Sequence, residues 1–121
     1  MKYSTRALGD WGEQVAQRYF ERRGFRLWKK NVRFREGEID LVMMKGNTLM
    51  CVEVKLRRGN IAGWPEESLT YHKRRRLYFL ALQVARMFPR WYVVRIDALS
   101  ILYDGAGRNI RLRHHPHLRI I

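Results

Sequence analysis

Two apolar segments flanking Gly46-Asn47 carry charges at matched positions, and this pairing constrains the fold more than any other feature of the chain. Gly37-Glu38-Ile39-Asp40-Leu41-Val42 precedes the Gly-Asn pair, and Cys51-Val52-Glu53-Val54-Lys55-Leu56 follows it. A Gly-Asn pair between apolar runs predicts a β-hairpin with a two-residue loop. Counting outward from that loop sets Asp40 opposite Glu53 and Glu38 opposite Lys55. Directly opposed residues share a face, with Cβ atoms roughly 4.5–5.5 Å apart. The same register gathers Ile39, Leu41, Met43, Met50, Val52, Val54 and Leu56 on one face. The other face is apolar near the turn, at Val42, Met44, Leu49 and Cys51, and charged at its far end. A hairpin apolar on both faces belongs inside a sheet covered on both sides.

Two carboxylates facing each other in such surroundings repel and resist desolvation. A divalent cation between them resolves both problems, and oxygen ligands of this kind suit Mg²⁺. Glu53 and Lys55 flank Val54, so the strand period puts carboxylate and ammonium on one face. The plainer alternative is a pair of salt bridges, Glu38 with Lys55 and Asp40 with an arginine. Such pairs are common on exposed strands, but Ile39, Leu41, Val52 and Val54 are not the residues of an exposed strand.

The charge supplies a partner class. The chain carries 25 basic residues against 11 acidic ones, a formal net charge of +14, and 19 of the basic residues are arginine. Clusters occur at Arg22-Arg23, Arg33-Phe34-Arg35, Arg57-Arg58 and Lys73-Arg74-Arg75-Arg76. A charge this far from zero argues for a polyanionic partner, and the planar guanidinium suits phosphate. Nucleic acid is the expected partner, ahead of anionic lipid or a merely solvated surface. No apolar run approaches the roughly 18 residues of a membrane span, and the N-terminal segment has no signal-peptide pattern. A cytoplasmic location is therefore expected, with no membrane partner. The single cysteine, Cys51, excludes an internal disulfide and reads as a small core residue.

The length of 121 residues predicts a single domain, 1–121, with a basic, His-containing tail from about residue 114. Leu8, Trp11, Val15 and Tyr19, with Ala16 and Phe20 beside them, predict a first helix from about Leu8 to Arg23, stopped by Gly24. A strand follows over Phe25–Arg33, then the hairpin. Gly59–Pro65 reads as a loop, and a second helix is predicted from about Glu66 to Met87. Trp91–Leu102 reads as a strand, Tyr103–Asn109 as a turn, and Ile110–Arg113 as a last short strand. The fold class is α/β: a central mixed sheet flanked by helices in the order α-β-β-β-α-β-β.

Asp40, twelve intervening residues, then Glu53-Val54-Lys55 resembles the PD-(D/E)XK nuclease superfamily, the restriction-endonuclease-like fold. The wider pattern resembles the YraN family of predicted nucleases, similar to archaeal Holliday-junction resolvases. Its marks are Gly9-Asp10-Trp11-Gly12-Glu13, Asn31-Val32-Arg33, Gly37 to Val42, Val52 to Arg57, Lys73 to Leu77 and Arg95-Ile96-Asp97. The resemblance implies that Asp40 and Glu53, helped by the backbone carbonyl of residue 54, bind Mg²⁺ or Mn²⁺. It implies that Lys55 positions or deprotonates the attacking water. It adds Glu13 as a further active-site carboxylate, in competition with a plain reading as a helix-start acid favoured by the macrodipole. Gly9 and Gly12 would let that helix end approach the sheet closely. The expected activity is metal-dependent endonucleolytic hydrolysis of structured or branched DNA. Junction resolvases pair two active sites by dimerising, so the resemblance admits a homodimer.

Further residues divide between site and surface. Glu38 is either an accessory ligand or the partner of Lys55. Lys73 lies four residues from both Leu69 and Leu77, on the apolar stripe, which favours an accessory role at the site. Arg33, Arg35, Arg57, Arg58, Arg74, Arg75 and Arg76 are expected phosphate contacts, and Trp64 in the Gly-containing loop a substrate contact. Asp97, between Ile96 and Ala98, is expected to be a structural partner of an arginine. His114-His115-Pro116-His117 reads as an exposed tail, because Pro116 breaks any regular ligand spacing. The competing functional reading is a non-catalytic nucleic-acid-binding module that keeps the fold and the basic surface.

Overall fold

Among the described residues five strands form one mixed sheet with a helix on each face, in the order expected from the sequence. The computed structural model describes residues 5–59, 69–105 and 109–119. The elements are α1 (Thr5–Glu21), β1 (Arg26–Phe34), β2 (Gly37–Lys45), β3 (Thr48–Arg58), α2 (Tyr71–Ala85), β4 (Val93–Tyr103) and β5 (Ile110–His115). The strands lie side by side in chain order. β3 and β4 run parallel and every other neighbouring pair antiparallel. A parallel pair needs a crossover, and α2 lies on that connection.

Gly46 and Asn47 form the tip of the β2–β3 hairpin, with Lys45 paired to Thr48 and Gly46 at φ 57°. The expected register holds from there to Leu41 opposite Val52, where the ladder ends. Leu41, Met43, Met50 and Val52 pack under Ala16 and Phe20 of α1, with Leu99 and Ile101 of β4. Val42, Met44, Leu49 and Cys51 pack under Leu80, Ala81 and Val84 of α2. All of these side chains are buried, so the hairpin is covered on both faces. Burial pushes the Cys51 thiol up to about 12, consistent with a core residue rather than a nucleophile.

Ile39 departs from the expected face. It packs with Val42 and Met44 under α2, opposite to Leu41. The strand alternation therefore breaks at Asp40. Asn31 lies between Lys30 and Val32, which pair with Leu41 and Ile39, and it has a left-handed φ of 50°. That conformation is uncommon outside glycine, though tolerated by asparagine, and it disturbs both strands here.

The helix boundaries shift modestly from the periodicity. The buried line of α1 is Gly12, Ala16 and Phe20, with Trp11, Val15 and Tyr19 beside it. Gly12 faces Val54 and Leu56, whereas Gly9 faces open space and makes no close approach. Gly24, at φ 92°, ends the first helical segment as expected. The second helix begins at Tyr71 rather than near Glu66, because the Thr70 hydroxyl accepts a hydrogen bond from the Lys73 N–H and caps it. Residues 60–68 lie outside the described residues, so the loop reading and Trp64 fall there.

The histidine segment is not an exposed tail. β5 runs on through His114 and His115, paired with Leu99 and Ala98 of β4. His114 packs edge-on against Tyr19 and Phe20, and its Nε2 meets the Asp97 carboxylate at 2.5 Å. Arg95 donates to the same carboxylate through Nε and Nη2 at 2.9 and 2.7 Å, as the expected arginine partnership required. The His117 backbone N–H adds a third donor at 3.3 Å. Burial of Asp97 pushes its pKa up, but these donors outweigh it and hold the carboxyl down to about 2.

Candidate functional site

The candidate site forms where β2 and β3 part. Beyond Leu41–Val52 the two backbones stop pairing, which leaves the Val54 N–H without a ladder partner. Asp40 Oδ2 accepts that N–H at 2.8 Å. The side chain thus replaces a ladder hydrogen bond and is held in one orientation, its other oxygen left for further contacts. Asp40 is half-buried, and among the described residues no lysine or arginine pairs with it. Burial first, and the facing charge of Glu53 next, push its pKa up to about 7 against the pull of the Val54 N–H. Glu13 and Glu38 add smaller repulsions of the same sign.

Asp40 and Glu53 are therefore neighbours without being ladder partners. Glu53 forms an ion pair with Lys55 at 3.2 Å, and both side chains are about four-fifths buried, with relative exposures of 19% and 20%. The opposition of Glu38 to Lys55 expected from the register does not occur. Glu38 pairs instead with Arg33 across β1–β2, with a salt bridge at 3.8 Å. The alternation break at Asp40 is the reason, since it detaches Glu38 from the β2–β3 ladder. Glu38 still lines the cavity beside Glu53, which leaves it at the margin of the site.

Glu13 reaches the site from α1. Its Oε1 accepts a hydrogen bond from Asn31 Nδ2 at 3.1 Å, and burial raises its pKa. The left-handed Asn31 thus orients the helix carboxylate while it disturbs the strand opposite Asp40. Sequence reading missed this role. The one available signal was an asparagine at the centre of an otherwise regular strand.

A cavity of about 170 Å³ opens on the α2 side, lined by Glu38, Glu53, Lys55, Lys73, Arg76 and Leu77, among others. Lys73 and Arg76 project from the helix toward the carboxylates, which places Lys73 at the site as its stripe position suggested. The remaining arginines divide. Arg33, Arg35, Arg57, Arg58, Arg75 and Arg76 are exposed. Arg74 is not a free phosphate contact: its Nη1 donates to the Leu69 carbonyl at 2.8 Å and its Nε to the Arg119 carbonyl at 2.9 Å. It fastens the C-terminal segment and the approach to α2, because its position on the helix faces both.

Among the described residues no three His, Cys, Asp or Glu side chains gather into a ready metal cage. The donor set nevertheless suits one class of ion. Mg²⁺ keeps several waters and is held by one or two carboxylates rather than an all-protein cage. An Asp40–Glu53 pair, repelling across a part-buried gap with one Asp40 oxygen oriented by Val54, fits that description. The ion would remove the repulsion that now raises Asp40.

The fold and site together define an α/β mixed-sheet protein with an acidic and basic cluster at the splayed end of its central hairpin. The chain belongs to Uncharacterised protein family UPF0102, whose profile matches residues 12–101 and so runs from within α1 through most of β4. A UPF0102 protein of Pelotomaculum thermopropionicum is 38% identical over 115 residues, covering 94% of this chain and 96% of the relative. A UPF0102 protein of Symbiobacterium thermophilum is 43% identical over 105 residues, covering 86% and 89%. One of Renibacterium salmoninarum is 44% identical over 108 residues, covering 88% and 91%. Among the described residues no helix is long and apolar enough to cross a membrane.

Proposed function

We propose that this protein is a divalent-cation-dependent endonuclease acting on structured or branched DNA. The observation that carries the reading is the Asp40–Glu53 pair at the parting of β2 and β3, with Asp40 oriented by the Val54 N–H and Lys55 held on Glu53. Its support from sequence is the resemblance of Asp40 and Glu53-Val54-Lys55 to the PD-(D/E)XK pattern, on a helix-flanked mixed sheet of the kind that resemblance implies. Asp40 and Glu53 would hold Mg²⁺ or Mn²⁺, with the backbone carbonyl of residue 54. Such an ion polarises a phosphoryl oxygen and lowers the pKa of bound water.

The chain's own groups divide the remaining work. Lys55 lies within reach of a water or phosphate beside Glu53 and offsets negative charge there. Glu13 adds a second acidic group on the α1 side, held by Asn31. Lys73 and Arg76 line the opposite wall and attract the phosphate backbone. A cytoplasmic protein with net charge +14 meets nucleic acid as its most abundant polyanion.

The 3.2 Å Glu53–Lys55 ion pair also favours a second reading, in which the lysine neutralises the carboxylate permanently and the chain only binds nucleic acid. A cleavage screen separates the two. Wild-type protein with Mn²⁺ or Mg²⁺ is expected to cut at least one of four-way junctions, flaps and single strands. Lys55→Ala is expected to bind the same substrate as tightly as wild type to within a few-fold, and to cut it at least about 10²-fold more slowly. No cutting by wild type across that panel with either ion leaves the binding module as the function.

A further inference from the structure

A second feature of α2 lies outside the carboxylate site. Along the C-terminal half of the helix and past its end, an open groove of about 580 Å³ is lined by Phe79, Arg86, Phe88, Arg90, Trp91 and Tyr92, among others. Trp91 is 94% exposed and Phe79 45%, while Leu82, Met87 and Val93 beside them are also exposed. Apolar exposure of this extent on one end of a domain marks a contact surface. Its floor is fixed. Phe88 stacks edge-on against Trp28 and Tyr92 at 5.1 and 5.3 Å, and Arg90 is tied to the Asn47 side chain at 3.1 Å.

The groove and the carboxylate cavity lie along the same helix. Arg76, Phe79, Gln83 and Arg86 follow one another at intervals of three, four and three residues, which puts them on one face of α2. Arg76 lines the cavity beside Glu53 and Lys55, and the other three line the groove. At 1.5 Å per residue the stripe from Arg76 to Arg86 is about 15 Å long. It carries a guanidinium at each end, with an aromatic ring and an amide between them, and ends beside Trp91.

Among the described residues no carboxylate lines the groove, and the formal charges there are those of Arg86 and Arg90, on a chain that carries +14. A second copy docked about a two-fold axis would bring these arginines together, whereas a phosphate backbone would neutralise them. Aromatic faces with arginines between them are the chemistry that binds unpaired bases, because every base offers a π-face and each stacked base adds substantially to affinity.

We propose that the Phe79–Trp91 groove is a docking site for a single-stranded segment of nucleic acid, whose bases stack on Trp91 and Phe79 while its phosphates follow Arg86 and Arg76. This rests on the nucleic-acid part of the function proposed above and sharpens it: the substrate is one with an unpaired arm next to the scissile phosphate. The carboxylate site then acts where a strand leaves a duplex, within about 15 Å along α2 of the stacked bases.

The test measures binding in EDTA, so that its result is independent of cleavage. A fluorescent oligothymidylate and a blunt duplex of the same length are titrated with wild type, Trp91→Ala, Trp91→Phe and Phe79→Ala. Loss of the exposed ring leaves the fold intact because Trp91 contacts so little of the chain. Trp91→Ala and Phe79→Ala are expected to weaken oligothymidylate binding at least about tenfold each and duplex binding less than about twofold. Trp91→Phe is expected to keep most of the affinity. Unchanged single-strand binding, or equal losses on both probes, overturns the proposal. So does conversion of a dimer into a monomer by Trp91→Ala in sedimentation, which makes a second copy the occupant. Failure of the nuclease reading alone leaves the single-strand preference in place without metal-dependent cutting.

Discussion

Asp40→Asn is expected to cut metal-dependent cleavage about 10³-fold and, at the same time, to make the metal-free protein more stable above pH 7. The first effect follows from losing a ligand to an ion that stabilises transition-state charge by several kcal/mol, each ~1.4 kcal/mol being tenfold in rate. The second follows from the geometry of the hairpin. Burial and the facing Glu53 push Asp40 from an ordinary 3.8 up to about 7. An acid whose pKa is higher in the folded chain holds its proton longer when folded. Stability therefore falls as pH rises from about 4 to about 7, and stays at that lower level above it. Asparagine carries no charge and keeps a carbonyl oxygen to accept the Val54 N–H, so the variant escapes this loss. The gain is expected to be about 1 kcal/mol at pH 5 and on the order of 3 kcal/mol at pH 8. Thermal or urea unfolding in EDTA at the two pH values measures it. A variant less stable than wild type at pH 8 means that Asp40 is held by a partner and is not a repelled carboxylate. Stored repulsion of this kind is the usual cost of a functional site.

The second large effect is opposite in sign and lies on the other side of the sheet. Asp97 is fully buried and accepts from Arg95, His114 and the His117 backbone. Asp97→Asn leaves the Arg95 guanidinium facing a neutral amide and is expected to destabilise the fold by about 3 kcal/mol. For a domain of this size that corresponds to a melting temperature lower by roughly 10 °C. The pH behaviour gives an independent check. The folded carboxyl titrates at about 2 against an ordinary 3.8. An acid with a depressed folded pKa stabilises the fold above its unfolded pKa, and that contribution is lost as pH falls through the folded value. The wild type is expected to lose about 1.5 to 2 kcal/mol of stability between pH 4 and pH 2, and Asp97→Asn to lack that component. A substitution effect within about 0.5 kcal/mol of zero contradicts a structural role for the network.

The sequence revealed elements whose causes are local. Gly46-Asn47 sets the loop length, and the loop length sets the register from Lys45–Thr48 to Leu41–Val52. Gly24 stops α1 because its left-handed conformation suits glycine. The two-sided apolar character of β2 and β3 anticipated a helix on each face. The candidate site was legible as a set of residues, Glu13, Asp40, Glu53, Lys55 and Lys73, and much less as a geometry. Register arithmetic assumes unbroken alternation, and the left-handed Asn31 breaks it opposite Asp40, turning Ile39 to the other face and Glu38 to Arg33.

The other departures depend on contacts between distant parts of the chain. His114 was read from Pro116 beside it as part of a loose tail, but its position is set by pairing with β4 and by Asp97, seventeen residues earlier. Arg74 belonged to a run of four basic residues that looked alike in sequence. Only the fold brings the Leu69 and Arg119 carbonyls to that one guanidinium. Trp91 stood at the start of a strand-like run, and nothing local marked it as exposed rather than core. Exposure is a property of what the rest of the chain covers.

Calorimetric titration of Mn²⁺ tests the proposed divalent-cation site at Asp40 and Glu53 without reference to any substrate. At pH 6.5 wild type is expected to bind one Mn²⁺ with release of most of one proton, because the ion displaces the proton that Asp40 retains below about 7. Asp40→Asn is expected to bind the ion at least about tenfold more weakly and to release no proton. Equal binding by the two proteins, or none by wild type, contradicts the account.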